Sequence, residues 1–283
     1  MSFLKSLKKE LQKIFYVRLF VLSVVCIDLL ALFSDGGTDH KNRQHTIIDI
    51  ILNVKKYPVK TDISFSTFSM MNRGFGAWTV MLLPLILGFS YLYILTAERK
   101  NGNVRMIVQR EGNLNYCLSK MISIMVYGGV LLLASYAVFY VFISFFFNSP
   151  NSISSDYSVL LYGREAVYLA KRFAGIFIYG ASVNIFAYGF AMAFSDRYLV
   201  FSLPFIFSYL LRQLNQKLVY KSFEKGKYSL ADKLSVFNME NIIDFNGSRY
   251  WKYNLLIVLA GYLFLLWLFC RIMKKRYDSC DWR

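Results

Sequence analysis

The residues of this chain whose types and spacing could do chemistry lie mostly in one polar stretch. Glu98, Arg99, Lys100, Gly102, Arg105, Arg110, Gly112 and Lys120 fall between two long apolar runs, Ala77–Leu95 and Met121–Phe147. Charges bracketed by glycines, each able to end or turn a helix, suit docking against another surface rather than catalysis. Asp28 is the one ionisable residue well inside an apolar run. A charge at a bilayer centre costs ~2.5–3.5 kcal/mol on insertion scales, so this carboxylate must face protein or a wet cavity. It reads as a group lining a pathway or, more commonly for such residues, as a structural partner for a neighbouring helix. Asn184 carries the same two readings, an interhelical hydrogen bond or a pathway group.

Patterns for enzymatic chemistry do not appear. The only Gly-Lys, Gly226-Lys227, is followed by Tyr228 and makes no phosphate-binding loop. There is no HExxH and no GxSxG, and no paired carboxylates stand within the apolar runs. His40 and His45, without cysteines or clustered carboxylates, make a poor metal site. Cys26, Cys117, Cys270 and Cys280 form no CxxC pair, and on the topology below none faces outside, so no disulfide framework is expected. No catalytic, cofactor-binding or metal residue is therefore expected, and the chain is not read as an enzyme. Any work against a gradient would draw on ATP hydrolysed elsewhere.

The elements that would hold these residues are membrane spans. Of the 283 residues 56% are hydrophobic, 18% aromatic and only 18% charged, with several apolar runs of about twenty. The expected fold is an all-α polytopic membrane protein forming a single transmembrane domain over 1–283. Its six spans are expected at about 19–33, 77–95, 121–147, 173–194, 198–211 and 253–269. The net charge of +16 would point to nucleic acid in a soluble protein. Here Lys and Arg flank the spans and meet anionic lipid headgroups instead, so no nucleic-acid partner is expected. Abundant Lys, Ile, Phe, Tyr and Asn fit an AT-rich bacterial genome.

Residues 1–18 differ in character. Phe3, Leu4, Leu7, Leu11, Ile14 and Phe15 recur at helical steps, and Lys5, Lys8, Lys9, Glu10 and Lys13 fill the other face. That pattern is an amphipathic helix at the membrane interface. After the first span, Ser34–Gly76 reads as a polar outer region with a break at Gly36-Gly37 and a short amphipathic element around Ile47–Ile51. Pro84 and Gly88 predict a kink in the second span. The third would extend about 40 Å as helix and must tilt or project. Gly175, Ala181, Ser182, Gly189 and Ala191 suit close helix packing in the fourth. The fifth is short, and Arg212–Lys252 reads as one or two amphipathic outer helices. Lys and Arg divide almost evenly between the two sides in raw number. Their density near span ends, above all at both termini and in the 98–120 loop, places those parts in the cytoplasm of a multi-pass cell-membrane protein.

Within that loop, Val104, Ile107 and Val108 recur at helical spacing with Arg105 and Arg110 off their face. The pattern Glu98, Gly102, Gly112, Lys120 resembles the loop of type-two ATP-binding-cassette (ABC) exporter permeases, whose short coupling helix sits in a cleft of the ATPase subunit. Asn103 stands where that family usually has Thr, and Asn113-Leu-Asn where a Ser-Arg pair often follows the second glycine. Spacing alone equally allows an ordinary basic loop, and the six-span layout favours the exporter; the N-terminal helix fits that family's in-plane elbow and equally a plain membrane-surface anchor. The resemblance implies contact of Glu98, Gly102, Arg105, Arg110, Gly112 and Lys120 with two copies of an ABC ATPase subunit, which would carry ATP and magnesium. It also implies a second permease subunit, identical or related, and export of a cargo best matched by a hydrophobic or amphipathic peptide. A non-transporting membrane immunity, sensor or assembly protein is the alternative.

Overall fold

The computed structural model of the chain describes residues 3–14, 17–38, 44–54, 57, 62–100, 103–148, 165–193, 197–224, 242–243 and 251–279. These are mostly helical. In order they form α1 (Phe3–Ile14), α2 (Val17–Leu32), a hairpin of β1 (Asp35–Thr38) and β2 (Gln44–Thr46), and α3 (Ile47–Leu52). Then come a 3-10 turn (Ile63–Phe65), α4 (Thr67–Gly74), α5 (Ala77–Lys100), α6 (Asn103–Glu111) and α7 (Asn113–Ser144). The chain ends with α8 (Glu165–Ala193), α9 (Arg197–Glu224) and α10 (Trp251–Ser279). Among the described residues two helices are long and apolar enough to cross a membrane, Leu114–Ser144 and Lys252–Ile272. Thr67–Gly74 and Thr79–Gly88 meet the same test together, as a pair bent by 60°.

The helices run past the apolar runs that announced them. α7 begins directly after Gly112, so Asn113–Lys120 is helix rather than loop, and the whole element of 32 residues is about 48 Å long. α5 likewise carries Glu98 in its last turn and continues as one helix through Pro84. The 60° break falls earlier, between Gly74 and Thr79, where Thr79 Oγ1 donates to the Gly74 carbonyl at 2.6 Å. Residues 212–224 do not start a separate outer helix: they extend α9, leaving Leu214 and Leu218 exposed. The rest of the expected outer helices, and Phe194 at the end of the fourth expected span, lie outside the described residues apart from the buried pair Ile242–Ile243 and residues 251–252, which open α10.

α7 is the centre of the core. Tyr127, Leu131, Tyr136, Phe139 and Ile143 are fully buried along it. Its closest neighbour is α8, because glycines let the two backbones touch: a Cβ on Gly128 would lie 2.5 Å from the Gly180 carbonyl oxygen, and one on Gly180 2.5 Å from that of Gly128. Small residues are what allow such approach where lipid gives helices no hydrophobic reason to associate. Gly175, Ala181, Ser182 and Ala191 are buried on the same helix as expected, but Gly128 and Gly180 were not picked out by composition alone.

The described residues of 34–76 form a folded cap rather than an open polar loop. Antiparallel β1 and β2 pair Gly37 with His45 and Thr38 with Gln44, a small departure from an all-α fold. Gly37 has φ of 127° and lies against Arg73, whose guanidinium also donates to the Gly36 carbonyl. Thr46 and Asp49 form a reciprocal capping box on α3. The Thr46 hydroxyl and backbone N–H both donate to Asp49, holding its carboxyl below the usual value. Ile47 and Ile50 are buried beneath, with Phe65, Phe68, Met70 and Met71. Thr67 seats this cap on the end of α7: its N–H donates to the Asn148 carbonyl at 3.0 Å and its hydroxyl to that of Phe147 at 2.9 Å.

Candidate functional site

The two residues that bracket the expected loop meet in space. Lys120, in the second turn of α7, places Nζ 2.5 Å from Oε2 of Glu98 at the end of α5. The same ammonium lies 2.5 Å from Oε2 of Glu10 in α1. The side chains are nearly closed to solvent, at 1% exposure for Lys120, 5% for Glu10 and 13% for Glu98. Two carboxylates thus share one cation, a cluster carrying one net negative charge. Taking charges out of water costs several kcal/mol per ion, and only short, well-aimed pairing offsets that. The result is an electrostatic clamp across three helices.

A second link lies beside it. Ser6 Oγ is 2.5 Å from Oε2 of Glu111, the last residue of α6, and 3.1 Å from Ser119 Oγ. Ser119 in turn donates to the Tyr116 carbonyl at 3.0 Å. The pairing follows from helical periodicity. Ser6 and Glu10 are one turn apart on α1, and Tyr116, Ser119, Lys120 and Ser123 share one buried face of α7. α1 therefore turns Ser6 and Glu10 inward, while Lys5, Lys8, Lys9 and Leu4 stand exposed. Periodicity alone sets Glu10 on the basic face of an interfacial helix. Its one signal is being a lone acid among Lys5, Lys8, Lys9 and Lys13.

α6 is held between these links. Val104 and Val108 are buried, Ile107 is half-buried, and Met106, Gln109 and Arg110 face outward. Gly112 closes the corner into α7 with φ of 81° and ψ of 150°, a backbone region essentially confined to glycine. Arg105 lies in the first turn of α6; Gly102 lies outside the described residues. Asp28 and Asn184 do not join this cluster. Asp28 accepts from Ser135 Oγ at 2.5 Å, linking α2 to α7 about 22 Å along that helix from Lys120. Asn184 Nδ2 lies 3.5 Å from the Ile124 carbonyl, at the Gly128–Gly180 crossing.

Fold and site together define a mostly helical protein with helices long and apolar enough to cross a membrane and a buried ionic clamp at one end of the bundle. Comparison with protein-family models, with curated proteins and with solved structures returned no match for the chain.

Proposed function

We propose that this chain is the permease subunit of an ABC exporter in the cell membrane. It would work with two copies of a separate ATPase subunit, which bind ATP and magnesium, and with a second permease subunit, identical or related. In this reading α2, α5, α7, α8, α9 and α10 are the six spans, α1 is the interfacial elbow, and both termini are cytoplasmic. α6 is the coupling helix. The observation that supports it best is the clamp: Lys120 joins Glu98 and Glu10 at 2.5 Å each, so the two helices flanking α6 and the N-terminal helix are bound at one point. Closure of the ATPase subunits on ATP would press on the exposed face of α6. The clamp would pass that push to α1, α5 and α7 as one packed body, the discrete shift that alternating access requires. A hydrophobic or amphipathic peptide is the cargo chemistry that suits an apolar, aromatic-rich path.

The test is co-expression with the ABC ATPase encoded nearest to this chain, purification through a tag on one partner, and measurement of ATP hydrolysis. A co-eluting, active complex is expected, and Met106→Glu with Arg110→Glu on the outward face of α6 is expected to dissociate it without unfolding the helices. If the ATPase stays behind while this chain is well folded, the reading fails. The non-transporting immunity, sensor or assembly role then leads.

A further inference from the structure

A groove of about 630 Å³ separates the α6–α7 corner from the C-terminal end of α10. One wall is the first turn of α7, with Gly112, Leu114 and Asn115; the other is α10, with Trp267, Arg271 and Lys274. Its size lies within the range of small-ligand sites. Among the described side chains, which do not include that of Asp278, no carboxylate lines it and neither Arg271 nor Lys274 forms a salt bridge. The Arg271 guanidinium is held over the Trp267 ring, 4.5 Å from its centroid. Gly112 gives α7 no side-chain cap, so the positive end of that helix adds to the field of the two cations.

The groove does not stop at its charges. Leu256, Leu259, Leu263 and Trp267 stand on one face of α10 at steps of three and four, each half or more exposed. Arg271 and Lys274 continue the same stripe at the next two steps. From Leu256 to Trp267 the rise is about 16 Å, close to half of a ~30 Å hydrocarbon core. Along one helix face, then, the order is an apolar track of one leaflet's depth, an interfacial tryptophan, and two cations. That is the polarity profile of a single anionic amphiphile.

We propose that this groove binds one anionic phospholipid, with its phosphate on Arg271 and Lys274 and an acyl chain along the Leu256–Trp267 stripe. A free anion would account for the cations but leave the apolar track without purpose. Basic pockets between membrane helices take lipid headgroups in this way. The inference needs only that α10 cross the membrane, not that the chain be an exporter, so the two can fail separately.

The full-length chain, reconstituted in phosphatidylcholine vesicles, is titrated with brominated phosphatidylglycerol while tryptophan fluorescence is followed. Quenching at low mole fraction is expected, with its amplitude lost in Trp267→Phe. Arg271→Gln with Lys274→Gln should shift the midpoint roughly thirtyfold, the effect of two surface cations. Lys275→Gln, on the same helix but not in the groove, should not. Leu114→Glu keeps both cations and places an acid in the groove at an exposed position; it should weaken binding even if the double variant does not reconstitute. Equal quenching by brominated phosphatidylcholine would overturn the proposal, as would an unchanged midpoint in both groove variants. Full competition by millimolar inorganic phosphate would assign the cations to a free anion instead.

Discussion

Replacing Lys120 with Met tests the clamp most directly. Lys120 is 1% exposed and its ammonium pairs with two carboxylates at 2.5 Å. Removing it strands both, closely spaced and largely shielded from water, and breaking a buried pair in this way costs about 3–5 kcal/mol. Glu98→Gln should behave differently, because it leaves a neutral Lys120–Glu10 pair and a side chain that still accepts a hydrogen bond; about 1 kcal/mol or less is expected. Replacing all three, with Glu10→Gln, Glu98→Gln and Lys120→Met, should recover most of the loss, since neither stranded charge remains. The assay is equilibrium unfolding in mixed micelles, followed by circular dichroism, with the parent, the single variants and the triple variant compared. A Lys120→Met loss below about 1 kcal/mol, or a triple variant no more stable than that single one, would refute the reasoning.

Two further outcomes follow from the packing and the cap. Gly128→Ala should separate α7 from α8 at a cost of about 1–3 kcal/mol in the same unfolding assay, and adding Asn184→Ala should not rescue it, because the Gly180 carbonyl that the new methyl meets is backbone. Asp49 has its carboxyl lowered by the Thr46 hydroxyl and N–H, so its contribution to the cap is present above the ordinary carboxylate value and lost as pH falls through the folded one. Protection of the α3 amides, corrected for intrinsic exchange, should therefore drop below about pH 4, and Thr46→Val should abolish that dependence.

How much of this was legible in the sequence depends on what each signal measures. Hydropathy found the apolar centres of the helices but not their ends. Backbone hydrogen bonding continues through polar residues, and so Asn113–Lys120 and 212–224 are helix although neither is apolar. Glu98, Gly112 and Lys120 stood out by spacing, and Gly112 does turn the chain where it was expected to. That Glu98 and Lys120 touch each other is a tertiary fact, and Glu10 was hidden because its helix has a polar face on which an acid looks solvated. The cap formed by the described residues of 34–76 was legible only in part. The short amphipathic element around Ile47–Ile51 is α3, but Phe65–Met71 is too brief to register as an apolar run, and the β1–β2 pairing carries no apolar pattern. Thr46-Ile-Ile-Asp49 was a readable capping signature ahead of an apolar stretch all the same.

α7 has a mechanical meaning that its packing description leaves out. One unbroken rod of about 48 Å carries the Lys120 clamp near its first turn and the Thr67 seat just past its last. One continuous backbone hydrogen-bond ladder joins the two ends, so a shift of the near end is passed to the far end through a single element. The folded cap rides on that far end like a valve head on its stem. Whatever grips α6 and the base of α7 has leverage on the opposite face of the molecule without any intervening joint.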